Sequence, residues 1–142
     1  KKVVIGPHSI LFSFIFTQCN EQDREDLWME IDGLNPSTNP WVVAGDFNIV
    51  SSPKEKHGGG SFARRAGLSF IHFMTRNGLM DMGYEGDAFT WCSNKHVERH
   101  IWCRLDCCLM NEASLSLFPD SKVVHRVRCL SDHCPLCLGL NV

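Results

Sequence analysis

An α/β fold is predicted by the order in which hydrophobic patterns follow one another along the 142-residue chain. An aromatic and β-branched run at residues 9–17 precedes a helical pattern that starts at Asn20. A second apolar run at residues 41–44 precedes another helical pattern at residues 62–77. Strand and helix periodicities alternating in this way describe a sheet with helices laid against it. Beyond residue 78 the chain reads as short strands separated by turn residues.

Composition sets the outer limits. With 44% hydrophobic residues the chain can bury one core, and its length leaves no room for two. A net charge of -2 and a pI near 6.4 exclude a generic basic coat for nucleic acid but allow a locally basic face. No apolar run approaches the length of a membrane span, and the start lacks the apolar region of a signal peptide, so a soluble, intracellular protein is expected. The chain has 8 cysteines, and Cys92, Cys103, Cys129 and Cys137 fall inside apolar strands, which reads as reduced thiols.

Residues 9–17 (SILFSFIFT) predict a central strand. Asn20 caps the first helix, with Glu21, Asp23 and Glu25 at its positive end. Leu27, Trp28, Ile31 and Leu34 form its apolar stripe, and Gly33 is its expected stop. A turn-rich loop at residues 35–40 leads into Trp41-Val42-Val43-Ala44-Gly45-Asp46-Phe47-Asn48, a buried strand that ends in polar residues. Asp46 and Asn48 are two residues apart, so strand alternation projects both to one face. A carboxylate beside a carboxamide suits phosphate-ester chemistry, and equally a structural Asp-x-Asn turn.

Residues 51–61 (SSPKEKHGGGS) read as a mobile loop over a site or as a solvated linker; no Lys-Ser/Thr follows the glycines, so they are not a P-loop. In the second helix Phe62, Ala66, Phe70, Phe73 and Met74 share a face, Arg64, Arg65 and Arg76 face water, and Asn77-Gly78 is the stop. Residues 79–81 and 89–92 predict short strands around a turn at 84–87. Residues 93–100 predict a hairpin whose tip carries Asn94, Lys95, His96 and Arg99. Residues 104–110 run back into the core with Asp106 on the side of Arg104, 122–129 read as a strand with one basic face, and 134–140 close the sheet. Cys134-x-x-Cys137 resembles half a zinc site, but residues three apart on a strand face opposite sides.

Strand ends thus deliver Asp46, Asn48, Asp106, Asp132 and His133, the groups a metal-assisted phosphodiesterase requires: cation ligands, a base for water and a donor to the phosphoryl oxygens. Gly-Asp-Phe-Asn at 45–48, Arg-Leu-Asp at 104–106 and Ser-Asp-His at 131–133, with residues 78–86 and Phe89-Thr90-Trp91 between, resemble the endonuclease/exonuclease/phosphatase superfamily, which includes DNase I. The greatest likeness is to the endonuclease domain of plant LINE-type non-LTR retrotransposons, over residues 10–140.

The resemblance implies a DNase I-like α/β sandwich, with residues 1–142 as its C-terminal half to two-thirds, N-terminally truncated and lacking a metal-binding glutamate. It implies that Asp46 orients or deprotonates water, that Asn48 contacts the scissile phosphate and fixes Asp46, and that His133, held by Asp106, donates to the phosphoryl oxygens. Asp46, Asn48 and Asp132 would bind Mg2+ or Mn2+. The hairpin residues Asn94, Lys95 and Arg99 would contact double-stranded target DNA, and the nick, made in the nucleus, would leave a 3'-hydroxyl that primes reverse transcription. No membrane and no small-molecule cofactor are implied, while Glu55 and Lys56 match a stretch present in relatives.

Two departures matter. Phe16 stands where relatives carry a phosphate-binding tyrosine, and Cys107 where they more often carry arginine. With the missing N-terminal part, they predict impaired catalysis, exposed sheet edges and poor solubility. The alternatives are a catalytically dead retrotransposon-derived fragment that binds nucleic acid or protein, and a phosphatase of the same superfamily acting on inositol lipids or sphingomyelin.

Overall fold

The computed structural model of the protein describes residues 1–17, 20–93 and 100–141. In chain order the elements are β1 (Lys2–Ile5), β2 (His8–Phe16), α1 (Glu21–Leu34), β3 (Trp41–Asp46), β4 (Lys56–His57), α2 (Arg64–Arg76) and β5 (Leu79–Asp81). Then come β6 (Glu85–Gly86), β7 (Trp91–Cys92), β8 (Trp102–Cys103), β9 (Asp106–Asn111), α3 (Glu112–Leu117), β10 (Lys122–His125) and β11 (Leu136–Gly139). The main sheet has the order β1-β2-β3-β9-β5, and two small sheets run β11-β10-β6 and β4-β8-β7. Asn94, Lys95, His96 and Arg99 lie outside the described residues.

The apolar run 41–44 is continuous because both faces of β3 are covered. Trp41 and Val43 join Trp28, Ile31, Phe70 and Phe73 of α1 and α2 in one core; Val42 faces the other way, with Ile10, Met110, Phe118 and Val123. Both long helices therefore pack on one face of the main sheet, and the β10–β11 layer covers the opposite face. Trp28 anchors the helical side, its ring centroid 4.3 Å from that of Phe73 and 5.7 Å from that of Phe70. Gly45 has φ +140°, and a Cβ there would lie 2.0 Å from the Ile15 carbonyl oxygen, so no other residue fits between β3 and β2.

Several expectations are corrected. The centre of the sheet is β3, while β2 lies second from the edge, with Phe14 and Phe16 72% and 82% exposed on its far half. Gly33 lies inside α1, which ends at Leu34 with Asn35 as cap, and Leu34 is exposed, outside the stripe. Asn20 does cap α1, its Oδ1 accepting from the Asp23 amide at 2.8 Å. Arg64, Arg65 and Arg76 of α2 do face water, where Arg76 pairs with Asp32 of α1 at 2.8 Å and Arg65 with Glu21 at 3.3 Å.

The short strands expected around residues 84–87 are present as β5, which pairs with β9, and β7, which covers only the end of 89–92 and pairs with β8; the expected turn between them holds β6, parallel to β10. The strand expected at 122–129 stops at His125, which is buried with its ring 4.5 Å from that of Tyr84, so it presents no basic face. The closing strand is confined to Leu136–Gly139. The seven described cysteines are free thiols; Cys134 is buried and Cys137 exposed. Among the described residues no helix is long and apolar enough to cross a membrane.

The glycine-rich segment 51–61 is not a plain loop. It contains a 3-10 turn at Pro53–Glu55, then β4. Glu55 Oε2 accepts from the Ser51 amide at 2.6 Å and from its hydroxyl at 2.8 Å, and Oε1 pairs with buried Arg104 at 2.8 Å. Arg104 also forks onto Asp81, Nη1 to Oδ2 at 2.6 Å and Nη2 to Oδ1 at 2.7 Å, and lies 4.9 Å from the Tyr84 ring centroid. Burial alone would lower its pKa; the hydrogen bond to Asp81 leads the opposing effects, which raise it, so the cation persists.

This clamp ties the 3-10 turn, β5 and the start of β9 together through one guanidinium. Arg104→Ala leaves two carboxylates facing an unpaired site and is expected to cost about 3–5 kcal/mol. Arg104→Lys, which keeps the charge but loses the fork, is expected to fall between that variant and the parent. Urea unfolding checks both; equal midpoints for all three proteins would dismiss the clamp.

Candidate active site

Strand periodicity brings the first two carboxylates together. Asp46 pairs with Asp106 across β3 and β9, and alternation sends both side chains to the face that carries Val42, Ala44, Cys108 and Met110. That face is covered by β10 and β11, so the connection entering β11 delivers Asp132 and His133 to the same rim. Behind the rim lies a groove of about 300 Å3, lined by Phe12, Phe14, Ala44, Cys108 and Leu136, with Asp106 in its wall.

His133 joins the two aspartates. Its Nδ1 lies 2.9 Å from Asp106 Oδ2, and its Nε2 lies 3.9 Å from Asp46 Oδ2. Asp106 thus fixes the ring through one nitrogen and leaves the other at the mouth beside Asp46. The expected shared direction of Asp106 and Arg104 does not hold: Arg104 precedes β9 and reaches Asp81 and Glu55, whereas Asp106 reaches His133.

Asn48 reaches the site by a different route from the one that alternation predicts. β3 ends at Asp46, and Asn48 adopts φ 49°, with its amide donating to Asp46 Oδ1 at 2.8 Å. The turn, an Asx-type arrangement, holds the carboxylate from below. Asn48 Nδ2 donates to the Thr17 carbonyl at 3.2 Å, and the Thr17 amide donates to the Asp46 carbonyl at 3.1 Å, so the ends of β2 and β3 are laced together.

Two positioning residues escaped the sequence reading. Thr90 is buried, and its Oγ1 accepts from the amides of Leu105 and Asp106 at 2.9 and 3.0 Å; its carbonyl accepts from the Cys134 amide at 2.8 Å. One residue, through its hydroxyl and its carbonyl, therefore fixes the backbone beside both Asp106 and His133. Trp91 donates from Nε1 to Asp132 Oδ2 at 3.1 Å and forms an isolated bridge to His133. The signal was the Phe-Thr-Trp motif, which carries no titratable group.

The carboxylates differ electrostatically. Burial pushes the Asp46 pKa above the ordinary value; the Asn48 amide opposes this, and the charges of Asp106 and Asp132 add to it. At Asp132 the Trp91 indole holds the pKa below the ordinary value. Asp46 is thus a base of raised proton affinity beside an imidazole.

Asp46, Asn48 and Asp132 do not compose a ready cation cage. Asp132 Oδ2 is engaged by Trp91, the Asn48 amide nitrogen is turned to Thr17, and among the described residues no three His, Cys, Asp or Glu side chains are grouped to hold a metal ion. The side chains present therefore do not fit a closed Mg2+ or Mn2+ site. Phe16, on the rung beside Asp46, exposes a bare phenyl ring at the mouth. Cys107 is buried on the helical side of β9, so that departure removes nothing from the rim.

A raised Asp46 pKa has a stability consequence. The folded state holds the proton more tightly than the unfolded chain, so this group's contribution is fully present below the ordinary carboxylate pKa and is lost as pH rises through the folded value. Asp46→Asn removes the charge and keeps an oxygen for the Asn48 amide. Its Tm relative to the parent is expected to be higher at pH 7 than at about pH 3; thermal melts showing no such difference would contradict the burial of a charged Asp46.

No protein-family profile matches the chain, and neither does any curated protein; solved structures do. The endonuclease domain of TRAS1, a telomere-specific non-LTR retrotransposon, superposes with a TM-score of 0.67 at 18% identity, covering 99% of this chain and 62% of that one. The 3'-5' exonuclease NExo from Neisseria meningitidis gives 0.67 at 15% identity, covering 99% and 64%. The Neisseria 3' phosphatase NExo bound to a product DNA hairpin gives 0.70 at 16%, with the same coverage. The chain spans a little under two thirds of the length of these neighbours. At such identities the likeness establishes the architecture: this chain has the α/β fold of DNase I-like endonuclease and exonuclease domains.

Proposed function

We propose that the chain carries the reaction centre of a DNase I-like phosphodiesterase acting on double-stranded DNA in the nucleus, where a nick leaves a 3'-hydroxyl that primes reverse transcription of a retrotransposon. The observation that carries this reading is the meeting, at one rim, of Asp46, Asn48, Asp106, Asp132 and His133, with the imidazole between two aspartates. The neighbours add support, since one is the endonuclease domain of a retrotransposon and another is bound to a product DNA hairpin.

In the proposed reaction Asp46 accepts a proton from water, whose oxygen forms the new bond to phosphorus as the bond from phosphorus to the 3'-oxygen breaks. The leaving oxygen takes a proton from solvent. His133, donating Nδ1–H to Asp106 and Nε2–H to a phosphoryl oxygen, stabilises the charge gathering there. Asn48 fixes Asp46 through its amide and meets the phosphate. These steps use the chain's own groups; Mg2+ or Mn2+ at Asp46, Asn48 and Asp132 would need oxygen ligands beyond these three, which do not close a cage for it. Asn94, Lys95 and Arg99 are proposed as contacts to the flanking duplex.

A second reading, a DNA-binding fragment without turnover, is favoured by the incomplete cation cage and by Phe16 at the mouth. Plasmid nicking in Mg2+ separates the two. The first reading predicts weak nicking that falls at least about a hundredfold in His133→Ala. Duplex binding without nicking selects the second, and nicking unaffected by His133→Ala rejects the proposed mechanism.

The rate should also depend on pH in a defined sense. Activity needs Asp46 ionised, so its acid limb should lie above the ordinary aspartate range. Asp132→Asn removes a negative neighbour and should move that limb to lower pH. A limb that moves up instead would contradict the charge coupling.

A further inference from the structure

His125 is a titratable group that the proposed chemistry does not use, and its surroundings suit only one of its two charge states. It closes β10 with 4% of its surface exposed. Its Nδ1 lies 2.6 Å from the Asp87 carbonyl oxygen, which can only accept, so Nδ1 carries the proton and the lone pair of the neutral ring falls on Nε2. Nε2 is buried and has no hydrogen-bond partner among the described residues. A buried lone pair left unmatched is tolerable; the N–H of an imidazolium at the same place adds an uncompensated charge.

The polar groups around the ring come from several elements. Tyr84 stacks on it, centroids 4.5 Å apart and planes at 8°, and the Arg104 guanidinium lies 4.9 Å from the centroid of the same phenol ring. Burial pushes the His125 pKa below the ordinary histidine value and Arg104 works in the same direction; the Asp87 carbonyl, Asp106 of β9 and Asp81 of β5 oppose them without prevailing. Lys122 of β10 and Glu85 of β6 pair with each other at 2.8 Å, Arg126 just beyond β10 is exposed, and β11 contributes only Cys137, opposite Val124.

What the neutral ring holds matters to the rim. Its bond to Asp87 ties β10 to the chain leaving β6, where Gly86 lies so close that a Cβ would meet the His125 carbonyl oxygen at 2.6 Å. Thr90 and Trp91 follow shortly after Asp87 in the chain. Thr90 fixes the backbone beside Asp106 and His133, and Trp91 fixes the Asp132 carboxylate.

We propose that His125 is an acid-operated latch on the rim: taking up a proton expels its ring from beside Tyr84, releases the Asp87 carbonyl and slackens the run of chain that carries Thr90 and Trp91. The rim is then assembled at neutral and alkaline pH and comes apart in acid. A histidine whose folded pKa is lowered contributes stability that is present above its unfolded value and lost as pH falls through the folded one, which gives the latch its direction. The consequence for turnover rests on the phosphodiesterase reading; the latch itself is observed without substrate, so either can fail alone.

Nuclear magnetic resonance of the 15N-labelled chain without DNA, from about pH 8 to about pH 4, tests it. Long-range imidazole spectra should show His125 as the Nδ1–H tautomer, titrating below an ordinary histidine. The amides of Ala88, Thr90 and Trp91 should shift or broaden with that same midpoint, in the parent and in His133→Ala alike, which sets the neighbouring imidazole aside as the cause. The Trp28 indole, in the helical core, should stay in place throughout. His125→Phe keeps a ring against Tyr84 but takes no proton, and should abolish the step; if it does not fold, the other two titrations decide. An Nε2–H tautomer, a ring still neutral at the acid end, or a titration that leaves Ala88, Thr90 and Trp91 unmoved overturns the proposal. So does a step that vanishes in His133→Ala or persists in His125→Phe, or loss of the Trp28 signal at the same midpoint, since the chain then unfolds as a whole.

Discussion

The pairing of β3 with β9 is the constraint on which the site depends. It places two carboxylates, Asp46 and Asp106, on directly opposed positions of an antiparallel pair, an arrangement that repulsion disfavours. The fold tolerates it because each acid has its own counter-group. The Asn48 amide holds Asp46 from the turn that follows β3, and His133 holds Asp106 from the strand entry above. Gly45 permits the close approach of β3 to β2, and Thr90 grips the backbone next to Asp106, so geometry rather than net attraction keeps the two acids in place.

Much of this was legible in the sequence, for physical reasons that differ by element. The run 41–44 announced a strand covered on both faces, and the stripes with Trp28, Phe70 and Phe73 announced helices, because burial repeats with a fixed period. The order of Gly-Asp-Phe-Asn, Arg-Leu-Asp and Ser-Asp-His announced which strand ends carry polar groups. Alternation failed at Asn48, where the chain leaves the strand and the left-handed turn takes over. It could not register β6 or β8, since two residues have no period, and it gave β7 only as the end of a longer strand at 89–92. Thr90 and Trp91 were missed as positioning groups because their work is done by neutral hydrogen bonds, which composition and charge do not betray.

Segment 51–61 illustrates how a polar, glycine-rich sequence can be mistaken for a loop. Its order comes from outside, from the buried guanidinium of Arg104, some fifty positions away in the chain. The same guanidinium holds β5 through Asp81, just before the chain turns toward Tyr84 and β6 of the β11-β10-β6 sheet. The segment that leads into Asp106 is therefore braced by an ion-pair network that touches none of the proposed reacting groups. Among the described residues the face of β2 that carries Phe14 and Phe16 has no comparable brace, and both rings are exposed, Phe16 beside Asp46.

The central claim is that Asp106 and His133 act as one unit upon the phosphate that Asp46 approaches. A double-mutant cycle on plasmid nicking, with Asp106→Asn, His133→Ala and the two combined, addresses it most directly. The account predicts that the combined variant is no slower than His133→Ala alone. Losses that multiply, or nicking that survives all three changes, would contradict it.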